Sequence, residues 1–117
     1  MPEFSYRGKT FYNPVEFALS QIGGTWKMPI LWRLRNRKMR YHELQDDIPH
    51  ISQKMLSTQL KELHADGFVG KNIFPTVPPK TEYFLTPKGK RAIKIITVIR
   101  DYGIELMREH SIREERK

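Results

Sequence analysis

Ser52-Gln53-Lys54-Met55-Leu56-Ser57-Thr58-Gln59-Leu60-Lys61-Glu62-Leu63-His64-Ala65-Asp66-Gly67 is the stretch whose periodicity decides the fold. At about 100° per residue, Leu56, Leu60 and Leu63 fall in one narrow stripe, while Lys54, Ser57, Thr58 and Lys61 fall opposite. Ser52 is a favourable N-cap, and Asp66-Gly67 is a C-terminal stop. The spacing therefore predicts a helix from Gln53 to about Ala65 with one face in the core. Its other face is small, polar and basic, and no large apolar side chain interrupts it.

Toward the C-terminus, Phe68-Val69 and Ile73-Phe74 suggest a strand, and Glu82-Tyr83-Phe84-Leu85 a returning one. Pro75, Pro78 and Pro79 bar helix through the turn between them and stiffen its tip. Thr86-Pro87 opens a last helix by cap and first-turn logic. Ala92, Ile95, Ile96, Ile99, Tyr102 and Leu106 form its apolar stripe, and it runs to about Glu109 or beyond. Toward the N-terminus, Arg40 to Asp46 is compatible with a short helix closed by Ile48-Pro49. Thr25 is expected to cap an apolar helix over Trp26 to Leu34. Asn13-Pro14-Val15-Glu16 reads as the start of a two-turn helix that ends at Gly23-Gly24.

A short helix, a tight turn, a polar-faced helix and then a hairpin is the order of a winged helix-turn-helix, in which the second helix lies in the DNA major groove. The expected class is α+β, mostly α, as a single domain over 1–117. It has an N-terminal arm over about 1–12, a two-stranded wing over about 68–85 and a terminal helix over about 87–112. The exposed side chains of the decisive helix suit the groove. Lys54 and Lys61 can reach guanine or phosphate, Ser57 and Thr58 can hydrogen-bond either base type, and Gln53 can pair with adenine. The first turn, at Ser52 to Lys54, can hold a phosphate on free backbone N–H groups.

The charge points the same way. The chain has 117 residues, 21 Lys+Arg against 13 Asp+Glu, and a net charge of +8. Residues 33–91 hold twelve of the bases and six of the acids. The densest run is Arg33, Arg35, Arg37, Lys38 and Arg40; with Lys71 and Lys80 on the wing it would supply sequence-independent phosphate contacts. There is no cysteine, which excludes disulfides, thiolate metal sites and a cysteine nucleophile. The N-terminus has no apolar signal region, and the longest aliphatic stretch, Ile95 to Ile99, is far too short to span a bilayer. A cytoplasmic chain with no membrane partner is the expectation.

Ile22-Gly23-Gly24-Thr25-Trp26-Lys27, Ile30-Leu31, Ile51 to Leu56, Leu60-Lys61-Glu62-Leu63, Asp66-Gly67, Pro75 to Tyr83 and Leu85-Thr86 with Gly89 resemble the HxlR-type bacterial transcriptional regulators, winged-helix relatives of the MarR group. The resemblance spans roughly residues 13–110. It implies a homodimer paired through terminal helices, a pseudo-palindromic operator in double-stranded DNA, and a wing tip on the minor groove or backbone. Carried over by position, it puts DNA contacts on Ser52, Gln53, Lys54, Ser57, Thr58 and Lys61, and on Lys80 at the wing. Many members of the family carry a sensing cysteine just before the proline that opens the first helix. Asn13 stands there, which excludes thiol-based sensing. His50 occupies a turn position where the family often has glycine.

An enzyme is not expected. His42, His50, His64 and His110 show no metal-ligand spacing, no nucleophile elbow or phosphate-binding glycine loop is present, and neither a metal nor a cofactor is implied. A single-strand RNA binder would need aromatics on a sheet, whereas Phe17, Trp26, Trp32 and Tyr102 fall on apolar helical faces. Tyr12, Trp26, Trp32 and Tyr102 leave room for a small-molecule inducer, although they read first as core.

Overall fold

The computed structural model describes residues 3–114; the ends of the expected 1–117 unit lie outside that range. The chain runs β1 (Phe4–Tyr6), β2 (Lys9–Phe11), α1 (Pro14–Ile22), α2 (Gly24–Arg33), β3 (Met39–Arg40), α3 (Tyr41–Asp47), α4 (Gln53–Ala65), β4 (Val69–Phe74), β5 (Lys80–Leu85) and α5 (Pro87–Glu109). Among the described residues there are five helices and one antiparallel sheet of order β3-β5-β4, and β1 pairs with β2 as a separate hairpin. This is the α+β, mostly helical, winged-helix architecture expected from the element order.

Local chemistry sets most of the helix boundaries. The Asn13 side chain accepts a hydrogen bond from the Glu16 backbone N–H at 2.8 Å, Ser52 accepts from Met55 at 3.0 Å, and Thr86 from Gly89 at 3.1 Å. Each satisfies a backbone donor that a helix start otherwise leaves unpaired. The α1–α2 junction departs from expectation, because Thr25 is not the cap. Gly23 ends α1 by donating its N–H to the Leu19 carbonyl at 2.8 Å and also occupies the cap position of α2. A Cβ there would lie 2.5 Å from that carbonyl oxygen, and Gly24 turns the chain at φ +87°. One glycine permits a close approach and the other a left-handed turn, so no side-chain cap is needed.

Leu56, Leu60 and Leu63 of α4 are buried with Ile30 and Leu31 of α2, Leu44 of α3 and Met39 of β3. Each such side chain contributes about 2 kcal/mol relative to exposure. Lys27 of α2 is also buried, at 8% exposure, with its ammonium 2.8 Å from Glu62 Oε1. That ion pair and the leucine row together fix the rotation of α4 about its own axis.

Three strands were not expected. Within the arm expected over about residues 1–12, β1 and β2 form a hairpin whose turn residues Arg7 and Gly8 both have positive φ. Phe4, Tyr6 and Phe11 of the hairpin pack around Phe17 of α1, with ring centroids between 5.2 and 5.6 Å apart. The wing was expected as two strands, and β3 adds a third, pairing Met39 with Tyr83 and Arg40 with Glu82. A two-residue strand carries no readable alternation.

Helix α5 is seated only along its first half, where Gly89, Ala92 and Ile96 are buried. Beyond them it projects, and the Cα radius of gyration of 16.0 Å exceeds the ~13 Å of a compact chain this long. The seat depends on Gly89, where a Cβ would meet the Phe68 carbonyl oxygen at 2.1 Å. Gly89→Ala must push α5 away from the end of the wing, and the expected loss of stability is about 1–3 kcal/mol in chemical denaturation. An unchanged midpoint would show that this contact does not position the helix.

Candidate nucleic-acid interface

The turn between α3 and α4 is built by side chains that reach across it. Tyr41, the first residue of α3, donates its hydroxyl hydrogen to the Gln53 carbonyl at 2.8 Å, and Gln45 donates from Nε2 to the Ile51 carbonyl at 2.7 Å. Ile48 and Ile51 anchor the turn in the core, and His50 adopts φ +66°. Histidine thus occupies the left-handed position that glycine suits best. Glu43 reaches back to accept from the Arg40 N–H at 2.8 Å. That backbone bond is the main influence holding its carboxyl below the usual range, with Arg37 adding to the effect.

On the helix so positioned, Ser52, Gln53, Lys54, Ser57, Thr58 and Lys61 are all exposed. Lys54, Thr58 and Lys61 lie most nearly opposite the leucine row. Ser57 stands on the flank toward the wing, with its Oγ 2.9 Å from Tyr41 Oη. Between α4 and the wing runs a groove of about 270 Å³ lined by Tyr41, Ser57, Leu60, Lys61, His64, Lys71 and Tyr83. Lys71 and Tyr83 face each other across the β4–β5 ladder. Burial, and secondarily Tyr41, raises the Tyr83 hydroxyl above its ordinary pKa, so it stays neutral. A second groove adjoins the first at Tyr41 and is lined by Arg40, His42, Pro78, Pro79, Lys80 and Thr81.

The basic run before α3 is less available than its sequence suggested. Arg33 donates to the carbonyls of Pro29 and Asp47 and pairs with the Asp47 carboxylate at 3.2 Å, bracing α2 against the end of α3. The Arg35 guanidinium lies over the Trp32 ring, 3.9 Å from its centroid, and donates to the Trp32 carbonyl. Neither stands free for phosphate. Arg37 is exposed with Glu43 at 3.5 Å. Lys38 lies over Phe84. Both belong to a third groove with Lys90, which shares no residue with the other two. Ser57, Lys61 and Lys71 therefore come together, Arg40 and Lys80 adjoin them, and Arg37 and Lys38 stand apart.

Sequence reading missed Tyr41, His64 and Tyr83. His64 was legible in principle, lying two turns beyond Ser57 on the same flank; the two tyrosines come from other elements. Of the aromatics considered for an inducer, Tyr12 and Tyr102 are exposed and Trp32 is covered by Arg35 and Arg100. Among the described residues no group of three His, Cys, Asp or Glu could hold a metal ion, and no helix is long and apolar enough to cross a membrane.

A family model described as HxlR-like helix-turn-helix matches residues 21–111. The chain belongs to the HxlR-like family. An uncharacterized HTH-type transcriptional regulator of Halalkalibacterium halodurans, BH0655, is 40% identical over 107 residues, covering 90% of this chain and 95% of that one. The solved structure of the redox regulator HypR in its oxidized form is 38% identical, with a TM-score of 0.75 over 88% of this chain and all of that one. The reduced form of the transcriptional regulator YodB from B. subtilis is 32% identical, with a TM-score of 0.70 over 81% of this chain and 94% of that one. This HxlR-like chain is thus a transcriptional regulator with a helix-turn-helix DNA-binding domain, and its fold is that of MarR-like winged helices.

Proposed function

We propose that this regulator works as a cytoplasmic homodimer that binds a pseudo-palindromic operator, with α4 of each protomer in a major groove and the wing along the adjoining minor groove or backbone. The observation that carries the reading is the row Lys54, Thr58 and Lys61 beside a groove whose other wall, Lys71, is also basic. On this reading Thr58 and the lysines of α4 approach base edges, and the first turn at Ser52 and Gln53 takes a phosphate. Lys71, Lys80 and Arg40 neutralise backbone charge. Arg37 and Lys38 reach only flanking phosphates. The arm, wing and terminal helix act as parts of one domain, and no reaction is assigned to it. HypR is a redox regulator; this chain has no cysteine, so no thiol of its own carries a signal.

Dimerisation is supported by the outer face of α5, where Ile95 is 52%, Val98 68% and Tyr102 60% exposed, alongside Ile99 and Leu106. An apolar stripe this long on one helix of a small chain needs a partner, and a second copy supplies a self-complementary one. Ile99→Glu is expected to sediment as a monomer with its helical content intact, and to lose about a hundredfold or more in operator affinity as bivalency is lost. A monomeric wild type, or an Ile99→Glu protein that binds as tightly, would contradict the dimer.

Backbone and base contacts separate in titrations across salt concentrations. Lys80→Ala and Arg40→Ala are expected to weaken binding to all sequences alike and to lower the salt slope by about one each. Thr58→Ala is expected to change base preference at one position by about 1 kcal/mol and leave the slope alone. The same loss of specificity from both classes would overturn this division.

A further inference from the structure

Tyr41 Oη lies 2.8 Å from the Gln53 carbonyl oxygen and 2.9 Å from Ser57 Oγ. A phenol has one proton to give, and a carbonyl oxygen can only accept, so that proton belongs to Gln53. What Tyr41 Oη then offers Ser57 is a lone pair, and Ser57 is the donor in the second bond. A serine within a helix ordinarily turns its proton back to the carbonyl one turn earlier. For Ser57 that carbonyl is Gln53, whose two lone pairs already take the helical Ser57 N–H and the Tyr41 hydroxyl. The single Ser57 proton is therefore committed to Tyr41, and its oxygen, with both lone pairs left to accept, lines the groove between α4 and the wing.

We propose that Tyr41 fixes the Ser57 hydroxyl as a hydrogen-bond acceptor, and that Ser57 therefore selects the exocyclic amine of a cytosine or adenine. The inference rests on the reading of α4 as the helix that enters the major groove. In that groove the donors are cytosine N4 and adenine N6, whereas guanine N7 and O6, adenine N7 and thymine O4 all accept. Phosphate oxygens only accept as well. A hydroxyl with its proton spent is complementary to the two amines alone, so Ser57 reads sequence and does not hold backbone. Tyr41 is the positioning residue. It touches Gln53 and Ser57 and acts on DNA through Ser57, without contacting a base itself.

The test measures the affinity of the wild type, Tyr41→Phe, Ser57→Ala and the double variant for duplexes in which each half-site position is changed to all four bases, with a circular-dichroism melt of each protein. Tyr41→Phe keeps the ring and removes only the hydroxyl. The expected wild-type result is one position per half-site where cytosine or adenine is preferred about tenfold over guanine and thymine, the low end of a base-edge contact. Ser57→Ala abolishes that preference. Tyr41→Phe relaxes it, because the freed hydroxyl can turn its proton either to the vacated Gln53 carbonyl or into the groove, and so donates as well as accepts. The double variant matches Ser57→Ala. The proposal is overturned if Tyr41→Phe keeps the wild-type preference, or if Ser57→Ala does. It is also overturned if Tyr41→Phe still alters base preference when Ser57 is alanine, which would mean that Tyr41 acts by moving the helix. A wild type with no base preference at any position would remove the operator-binding reading itself, an outcome distinct from a preference indifferent to these two residues.

Discussion

Everything outside the core takes its orientation from the row Leu56, Leu60 and Leu63 pressed against Ile30, Leu31 and Leu44. A helix with one apolar stripe has one stable rotation, and burying these three side chains contributes several times what a surface ion pair does. The Lys27–Glu62 pair sharpens that rotation. Breaking it would leave an ammonium that is nearly buried without a partner, although Glu62 itself is half exposed. With the rotation fixed, Lys54, Thr58 and Lys61 face outward, and Ser57 meets Tyr41. The polar surface follows from the apolar one.

Charge obeys the same economy. Arginines 33 and 35 lie in the densest basic run of the sequence, yet hydrogen bonds to carbonyls, an ion pair with Asp47 and a cation–π contact with Trp32 commit them to holding α2 and α3 in place. The bases open on α4 and along the two adjoining grooves, Arg40, Lys54, Lys61, Lys71 and Lys80, come from four separate elements. Net charge alone identifies the class of partner. Which charges meet it depends on how each guanidinium is already bonded.

Much of this was legible in the sequence. Asn13, Ser52 and Thr86 announced three helix starts because capping is local chemistry, and the stripes of α4 and α5 survive in their spacing. The hairpin over residues 4–11 was not legible, since its strands are three residues long and its aromatic partner Phe17 sits on another element. Strand β3 and the burial of Lys27 escaped for the same reason. Thr25 looked like a cap, and glycine geometry made a cap unnecessary. The position of Ser57 on the polar face was predicted, whereas the direction of its hydrogen bond depends on Tyr41, sixteen residues earlier. No periodicity encodes such a contact.

The absence of cysteine makes the central claim, that α4 presents its polar face to DNA, directly measurable. Thr58→Cys and Glu105→Cys each place one thiol in the chain, and each can carry a short photo-crosslinker. The labelled protein is then irradiated on duplexes selected from a random pool. The account expects cross-links to bases from position 58 and none from position 105 on α5. Cross-links from position 105 with none from position 58 would contradict it.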